Sequence, residues 1–379
     1  MGACSVKHVL VLCEFATRSG GENSLLTLLP RLLADCRITV AAPADGPLVV
    51  ALGELGIDHV CWDVRDTQGD RLPNQQVEQA LLKLVSATGP DIVHANSLSM
   101  SRVLGRVQAQ LACASIGHLR DMLNLSNKAL SDIACLDRVL AVSHATREWF
   151  IERGLPAERV VTVYNGVDLE RFTPGIPDGR LAGELELPEE SLLLGAIGQI
   201  VQRKGWSQLL TAVASCFSRH PGPQLVIVGD RWSGKQEAVE YEQQLLQQAN
   251  RPPLANRVHW LGYRHDVAQL LPQFSVLVHA ARQEPLGRVL LESAACGVPV
   301  IATECGGTRE IFPAQSDGAV LVEVDNESQL TEAIGRLLSD PELRQQLGRA
   351  GRSNAESRFS ADQAARILLE NYEGLEIKA

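Results

Sequence analysis

No C-x-x-C pair occurs in this sequence, nor any D-x-D, nor a run of 18 apolar residues. The nine cysteines, Cys4, Cys13, Cys36, Cys61, Cys113, Cys135, Cys216, Cys296 and Cys305, are scattered and odd in number. They read as reduced, buried small hydrophobes, which suits a cytoplasmic protein. Without a long apolar run no membrane span is expected, and membrane association is at most peripheral. No charged n-region followed by an apolar h-region opens the sequence, so the N-x-S triplets at Asn124 and Asn326 are not read as glycan acceptors. Positive charge is in the minority, 35 Lys+Arg against 45 Asp+Glu, for a net charge of −10. That balance argues against nucleic acid as a partner, while a local basic pocket for a phosphate stays compatible with it. The missing D-x-D removes the usual carboxylate pair that holds Mn²⁺ or Mg²⁺ against a diphosphate, so no metal is expected. No G-x-G-x-x-G follows the first apolar run, which counts against a nicotinamide dehydrogenase.

What is present is a repeating alternation. Short β-rich apolar runs fall at 8–13, 37–42, 91–95, 114–118, 138–142 and 160–164, and again at 192–200, 224–228, 257–261, 275–279, 298–303 and 319–322. Between them lie stretches of helical periodicity, such as 24–34, 75–87, 206–219 and 237–249. Strand–helix alternation implies parallel sheets covered by helices. It appears twice in 379 residues, which predicts two doubly wound α/β domains. The dense turn chemistry of 165–188, with Asn165-Gly166, Pro174-Gly175, Pro177, Gly179 and Pro188, places the boundary there. The expected domains are residues 1–170 and 171–359, followed by a terminal helix from Ser360.

The segment Glu284-Pro-Leu-Gly-Arg-Val-Leu-Leu-Glu292 follows a predicted strand and is expected to open a helix running to about Cys296. Pro285 suits a first helical turn, and Gly287 permits close backbone approach. The N–H groups around Leu286 and Gly287 then offer an anion site. Eight residues separate the two glutamates, roughly 12 Å along a helix. That is too far for the carboxylate pair of a retaining glycosidase, about 5 Å apart. It fits one long ligand, with Glu284 near a sugar, Glu292 near a ribose and phosphates between. The plain alternative is a capping glutamate and a solvated one.

Three further places carry candidate chemistry. In Gln199-Ile-Val-Gln-Arg-Lys-Gly205 a basic pair lies between a strand end and a helix. Lys204 suits a diphosphate as a flexible point charge, and Arg203 offers a fork of donors; a solvated basic pair is the alternative. Gly20 and Gly21 follow the first strand, where backbone N–H groups could meet a diphosphate or an acceptor, or simply form a tight turn. His118 ends the run 114–118, ahead of Arg120 and Asp121, weaker candidates for acceptor contacts.

Taken together, these motifs resemble the retaining GT-B glycosyltransferases of family 4. The match rests on Glu284 and Glu292 separated by seven residues, then Gly297-Val-Pro-Val-Ile-Ala302 and Gly306-Gly307. It extends to Ser19-Gly20-Gly21-Glu22, Asp91-Ile-Val-His94, Val142-Ser143, Asn165-Gly-Val-Asp168 with Phe172 and Pro174, Gly198 through Gly205, and Val228-Gly-Asp230, in the family's order over about residues 8–310. The resemblance implies a GT-B architecture, two Rossmann-like domains facing across a cleft. The N-terminal domain would take the acceptor side and the C-terminal domain the donor side, with the terminal helix at about 360–379 packing back on the former. It implies a nucleotide-diphosphate sugar as substrate, UDP by default and GDP as the other choice, with no cofactor. The acceptor stays open among saccharide, lipid-linked and small-molecule classes. His118 would be the active-site histidine against the donor sugar, and Gly262-Tyr263 would lie near the nucleobase. One departure stands out: the family often places Arg where this chain has Gln199. Two rivals share the fold, a sugar-nucleotide epimerase and a catalytically silent sugar-nucleotide-binding protein.

Overall fold

A computed structural model describes residues 6–313 and 317–375. The chain divides into two compact units, one of residues 6–166 with 361–375, the other of residues 167–360.

The first unit is built on seven parallel strands: β1 (Lys7–Leu12), β2 (Cys36–Ala42), β3 (Asp58–Cys61), β4 (Ile92–Ala95), β5 (Ala114–Leu119), β6 (Arg138–Ala141) and β7 (Val160–Thr162). Their order in the sheet is β3-β2-β1-β4-β5-β6-β7. Leu12 of β1 stands opposite both Ala41 and Ala95. Helices cover both faces, so a central strand must be apolar throughout. In β1, Val9 and Val11 join one core with Leu25, Leu28 and Leu29 of the helix Gly20–Leu32. Leu10 and Leu12 join the opposite core with Met100 and Val103 of the helix Leu98–Val107. Each such buried side chain contributes about 1.5–3 kcal/mol of transfer free energy.

The terminal helix, Ala361–Glu373, belongs to this first unit. It packs against Gly20–Leu32, with Leu368 and Tyr372 in the same core and Arg31 paired to Asp362 at 2.8 Å. Several helices start on side-chain caps: Ser97, Ser126 and Ser143 each accept a hydrogen bond from the N–H three residues on.

The second unit has six parallel strands: β8 (Leu193–Ile197), β9 (Gln224–Val228), β10 (Val258–Trp260), β11 (Val276–His279), β12 (Val300–Thr303) and β13 (Ala319–Val322). Their order is β10-β9-β8-β11-β12-β13.

The sheets and cysteines depart from the sequence reading in three places. The edge strand β3 was not among the expected runs; Asp58 and Cys61 at its ends are exposed and His59 and Val60 between them only half-buried, so it presents no buried apolar stretch. Strand β8 stops at Ile197 rather than at 200, because the chain turns at Gly198. Cys61 and Cys135 are exposed, whereas Cys13, Cys36, Cys113, Cys216 and Cys296 are buried as expected and Cys305 is half-buried. Cys4 lies outside the described residues. Among those residues no helix is long and apolar enough to cross a membrane.

Candidate functional site

In a doubly wound sheet, ligands collect beyond the carboxyl ends of the strands where the strand order reverses. In the second unit that point lies between β8 and β11. After β8 the chain makes a tight turn over Gln202–Lys204, and the helix Trp206–Phe217 follows Gly205. Gly205 has φ +67°, and a Cβ there would collide with the carbonyl oxygen of Ala280, just past β11. The Arg282 N–H donates to the Arg203 carbonyl at 2.8 Å, and the Trp206 indole N–H donates to the Gln199 carbonyl at 2.9 Å. The two loops are thus fastened to each other through backbone.

That fastening brings Lys204 Nζ to 2.5 Å from Glu284 Oε2. His279, the last residue of β11, places Nε2 2.8 Å from the same oxygen. The lysine and glutamate side chains are only 12% and 8% exposed. Burial alone would raise the Glu284 carboxyl, but the Lys204 charge and the His279 hydrogen bond outweigh it and hold it well below the usual carboxylate range. Burial and the Lys204 charge push His279 down, against the pull of Glu284. His279 is therefore neutral, and because a carboxylate only accepts, its Nε2 carries the proton.

The expected helix start is corrected. Pro285 does not sit in a first helical turn; the helix spans Arg288–Ala295. Residues 284–287 form a turn instead, because Gly287 adopts φ +105° with the Leu290 side chain 2.6 Å from where a Cβ would stand. Glu284 therefore lies in a loop and Glu292 on the helix, so a single helical rise does not describe their separation. The Gly307 N–H fixes the Glu284 carbonyl at 3.0 Å. Leu286 is buried. Glu292 is also buried and pairs with Arg288 one turn earlier, 2.5 Å from Nη2 and 2.7 Å from Nε.

Further along the same strand ends, Gly262 closes on the β9 loop, its carbonyl accepting from Gly229 N–H at 2.8 Å. Tyr263 is partly exposed and meets Trp232 and His265 edge to face at 6.1 Å and 4.8 Å. The second unit thus brings Lys204 and Glu284 into direct contact and sets Arg203 beside them. Gly262 and Tyr263 form a separate aromatic corner, and Gln199 contributes through its main chain.

In the first unit the strand order reverses between β1 and β4. Gly20 and Gly21 open the helix after β1, with the Gly21 Cα facing the Arg120 side chain. Arg120 is the hub of this edge rather than a free contact residue. Its Nη1 donates to Asn165 Oδ1 at 2.8 Å, its Nη2 to Asn96 Oδ1 at 2.9 Å, and its Nε to the Asn96 carbonyl at 3.1 Å. Nη2 also lies 3.1 Å from His118 Nδ1. His118 is 2% exposed, and its Nε2 is buried with no protein partner. Its ring stacks on His94 at a centroid distance of 5.4 Å. Burial, Arg120 and His94 together push the His118 ring well below its ordinary value, so it is neutral. Asp121 is exposed on the following turn.

Sequence reasoning missed His279, His94, Arg288 and Tyr372. A usable signal existed for the two histidines, since each interrupts an apolar strand near its carboxyl end. No comparable signal marks Tyr372. Among the described residues no group of three or more His, Cys, Asp or Glu is arranged to hold a metal ion.

Comparison with known proteins bears on this arrangement. The model of Glycosyltransferase Family 4 matches residues 18–171, and that of Glycosyl transferases group 1 matches residues 180–354. Spore coat protein SA of Bacillus subtilis (strain 168) is 32% identical over 220 residues, 56% of this chain and 58% of that protein. The D-inositol 3-phosphate glycosyltransferase of Corynebacterium jeikeium is 33% identical over 220 residues, 55% of this chain and 50% of that one. The alpha-maltose-1-phosphate synthase of Mycolicibacterium smegmatis is 30% identical over 250 residues, 63% and 64% of the two chains. The chain thus spans between half and two thirds of the length of these relatives. Among solved structures, Anabaena HepE in complex with UDP-glucose is similar with a TM-score of 0.86 at 24% identity, over 97% of this chain and 100% of that one. Two parallel α/β units of this topology, matched by the two family models over residues 18–171 and 180–354, have one reading: the chain has the GT-B fold and belongs to the group 1 glycosyltransferases of family 4.

Proposed function

We propose that this protein is a retaining, metal-independent glycosyltransferase that moves a sugar from a UDP-sugar to a hydroxyl of an acceptor. The observation that carries the reading is the Lys204–Glu284–His279 cluster at the β8/β11 reversal, in a chain of this family. As the bond from the sugar's C1 to the leaving phosphate breaks, charge collects on the diphosphate. Lys204, Arg203 and the N–H groups around Leu286 and Gly287 stabilise that charge in a site already low in water. Glu284 holds the sugar hydroxyls and Glu292 the ribose. His118 offers its Nε2–H to the sugar. The acceptor oxygen forms its bond to C1 on the face the phosphate leaves, and the leaving phosphate takes the acceptor's proton, so the configuration is retained. No side chain of the cluster is needed as a covalent nucleophile. UDP-glucose bound to the similar Anabaena HepE supports uracil as the base, and Tyr263 with Trp232 offers it an aromatic edge.

A donor screen tests this. UDP- and GDP-sugars are ranked by the rise in unfolding temperature they cause, and the best is then offered with saccharide, lipid-linked and small-molecule acceptors. A UDP-sugar should bind best and be consumed only when an acceptor is present. Consumption without any acceptor would identify an epimerase instead, and binding without turnover a silent sensor.

A further inference from the structure

Arg120 has only N–H groups to offer, and its Nη2 lies 3.1 Å from His118 Nδ1. That ring nitrogen is therefore an acceptor, and the proton of the neutral ring sits on Nε2. His94 Nε2 stands 3.3 Å from the same Nδ1 and must be a donor to it. With its proton on Nε2, His94 keeps Nδ1 bare. The Tyr372 hydroxyl, 2.7 Å away, then donates to that nitrogen. This placement gives each N–H or O–H along the Arg120–His118–His94–Tyr372 chain an acceptor and leaves His118 Nε2–H as the one donor of the chain without a protein partner. A charged His94 is excluded by its setting, because burial and the Arg120 charge push it down to about 3.

We propose that Tyr372 and His94 are positioning residues that lock His118 in the tautomer with its proton on Nε2, the ring atom that has no protein partner. Tyr372 lies on the helix Ala361–Glu373 and His94 on β4, 278 residues earlier, and both are buried. Removing the hydroxyl leaves His94 Nδ1 a buried acceptor without its donor, and the ring loses the bond that anchors its far edge. His94 Nε2–H is then kept in line with His118 Nδ1 by packing alone. The contact between the rings loosens, and Arg120 carries more of the hold on His118. Arg120 divides its fork among Asn96, Asn165 and His118, so it restrains the ring poorly by itself. The effect on turnover rests on the transferase reading above; the tautomer does not.

The test is nuclear magnetic resonance on the full chain labelled with ¹⁵N-histidine. The nine histidines are sorted by His94→Gln and His118→Gln variants. In the unmodified chain His118 and His94 should both show protonated Nε2 and bare Nδ1. Tyr372→Phe keeps the ring in the core, and should leave His94 in the Nε2–H form with the signal of its bare Nδ1 moved downfield by loss of the hydroxyl's hydrogen bond. It should also lower kcat about fivefold, the worth of one neutral hydrogen bond, with the donor KM unchanged. His94→Gln supplies an amide N–H toward His118 and a carbonyl toward Tyr372, so it should keep the His118 signature, while His94→Phe should lose it. A His118 proton found on Nδ1 in the unmodified chain overturns the proposal. So do unmoved His94 signals in Tyr372→Phe, or moved signals with kcat intact. If no donor–acceptor pair turns over at all, the transferase reading fails, and the ring signals still decide the relay.

Discussion

Lys204 and Glu284 form an ion pair at 2.5 Å, with the glutamate buried and the lysine nearly so, between residues 80 positions apart. Removing one partner of such a pair strands a charge. Lys204→Ala should therefore cost about 3–5 kcal/mol of stability in urea unfolding. Adding Glu284→Gln should restore most of that stability. Activity should stay depressed in the double variant by at least about 2–4 kcal/mol of transition-state stabilisation, because it lacks both the Lys204 charge and the Glu284 carboxylate proposed to act in transfer. A Lys204→Ala variant as stable as the parent would show that the pair holds nothing. A double variant with recovered turnover would reduce Lys204 to a counter-ion.

The two glutamates should separate in their effects. Glu292→Ala should weaken binding of the free nucleoside diphosphate by calorimetry, and would leave Arg288 without its i, i+4 partner. Glu284→Gln should leave diphosphate affinity nearly unchanged and depress transfer strongly. Equal losses of diphosphate affinity in both variants would refute the division between sugar and ribose.

Transfer should proceed unchanged in excess EDTA. The sequence carries no D-x-D, and in the proposed transfer Lys204 supplies the positive charge at the diphosphate. Loss of rate that Mn²⁺ or Mg²⁺ restores would show that a metal carries that charge instead.

Acid should destabilise the fold before most carboxylates titrate. The folded value of His94, about 3, lies below its ordinary 6.5, so the unfolded chain takes up the proton first as pH falls. The contribution is full above pH 6.5 and is lost between there and about 3. The slope is roughly 1.4 kcal/mol per pH unit for each such ring, and His118 acts in the same direction. Urea unfolding at pH 7, 6 and 5 should show this slope, and His94→Gln should flatten it by one proton's worth. Equal slopes in the two proteins would mean that His94 titrates alike folded and unfolded.

The two doubly wound sheets were legible because central parallel strands must be apolar throughout, and such runs as 8–13 and 224–228 stand out. The edge strand β3 did not, since an edge strand needs no apolar run. Lys204 and Glu284 were legible one by one, from strand ends, turns and spacing. Their contact was not, because it depends on Gly205 closing against Ala280, a backbone fit between distant segments. The helix start at Arg288 was misplaced because Pro285 suits a first turn as well as a tight loop, and only the φ of Gly287 decides between them. His279 and His94 were overlooked because a histidine inside an apolar strand reads as a member of the strand.

The first unit is interrupted in sequence: its sheet ends with β7, and the helix carrying Tyr372 is synthesised only after all of the second unit. A nascent chain that has emerged as far as residue 166 can pair all seven strands, yet His94 still lacks its phenol partner and the apolar face under Leu368 lies open to solvent. Protein synthesis thus imposes a delay of nearly 200 residues, roughly 10–40 s at ordinary elongation rates, during which that half-molecule is a natural client for chaperones. A truncated product lacking this helix would keep a sheet but present an exposed apolar stripe, the kind of surface that drives association between partly folded chains.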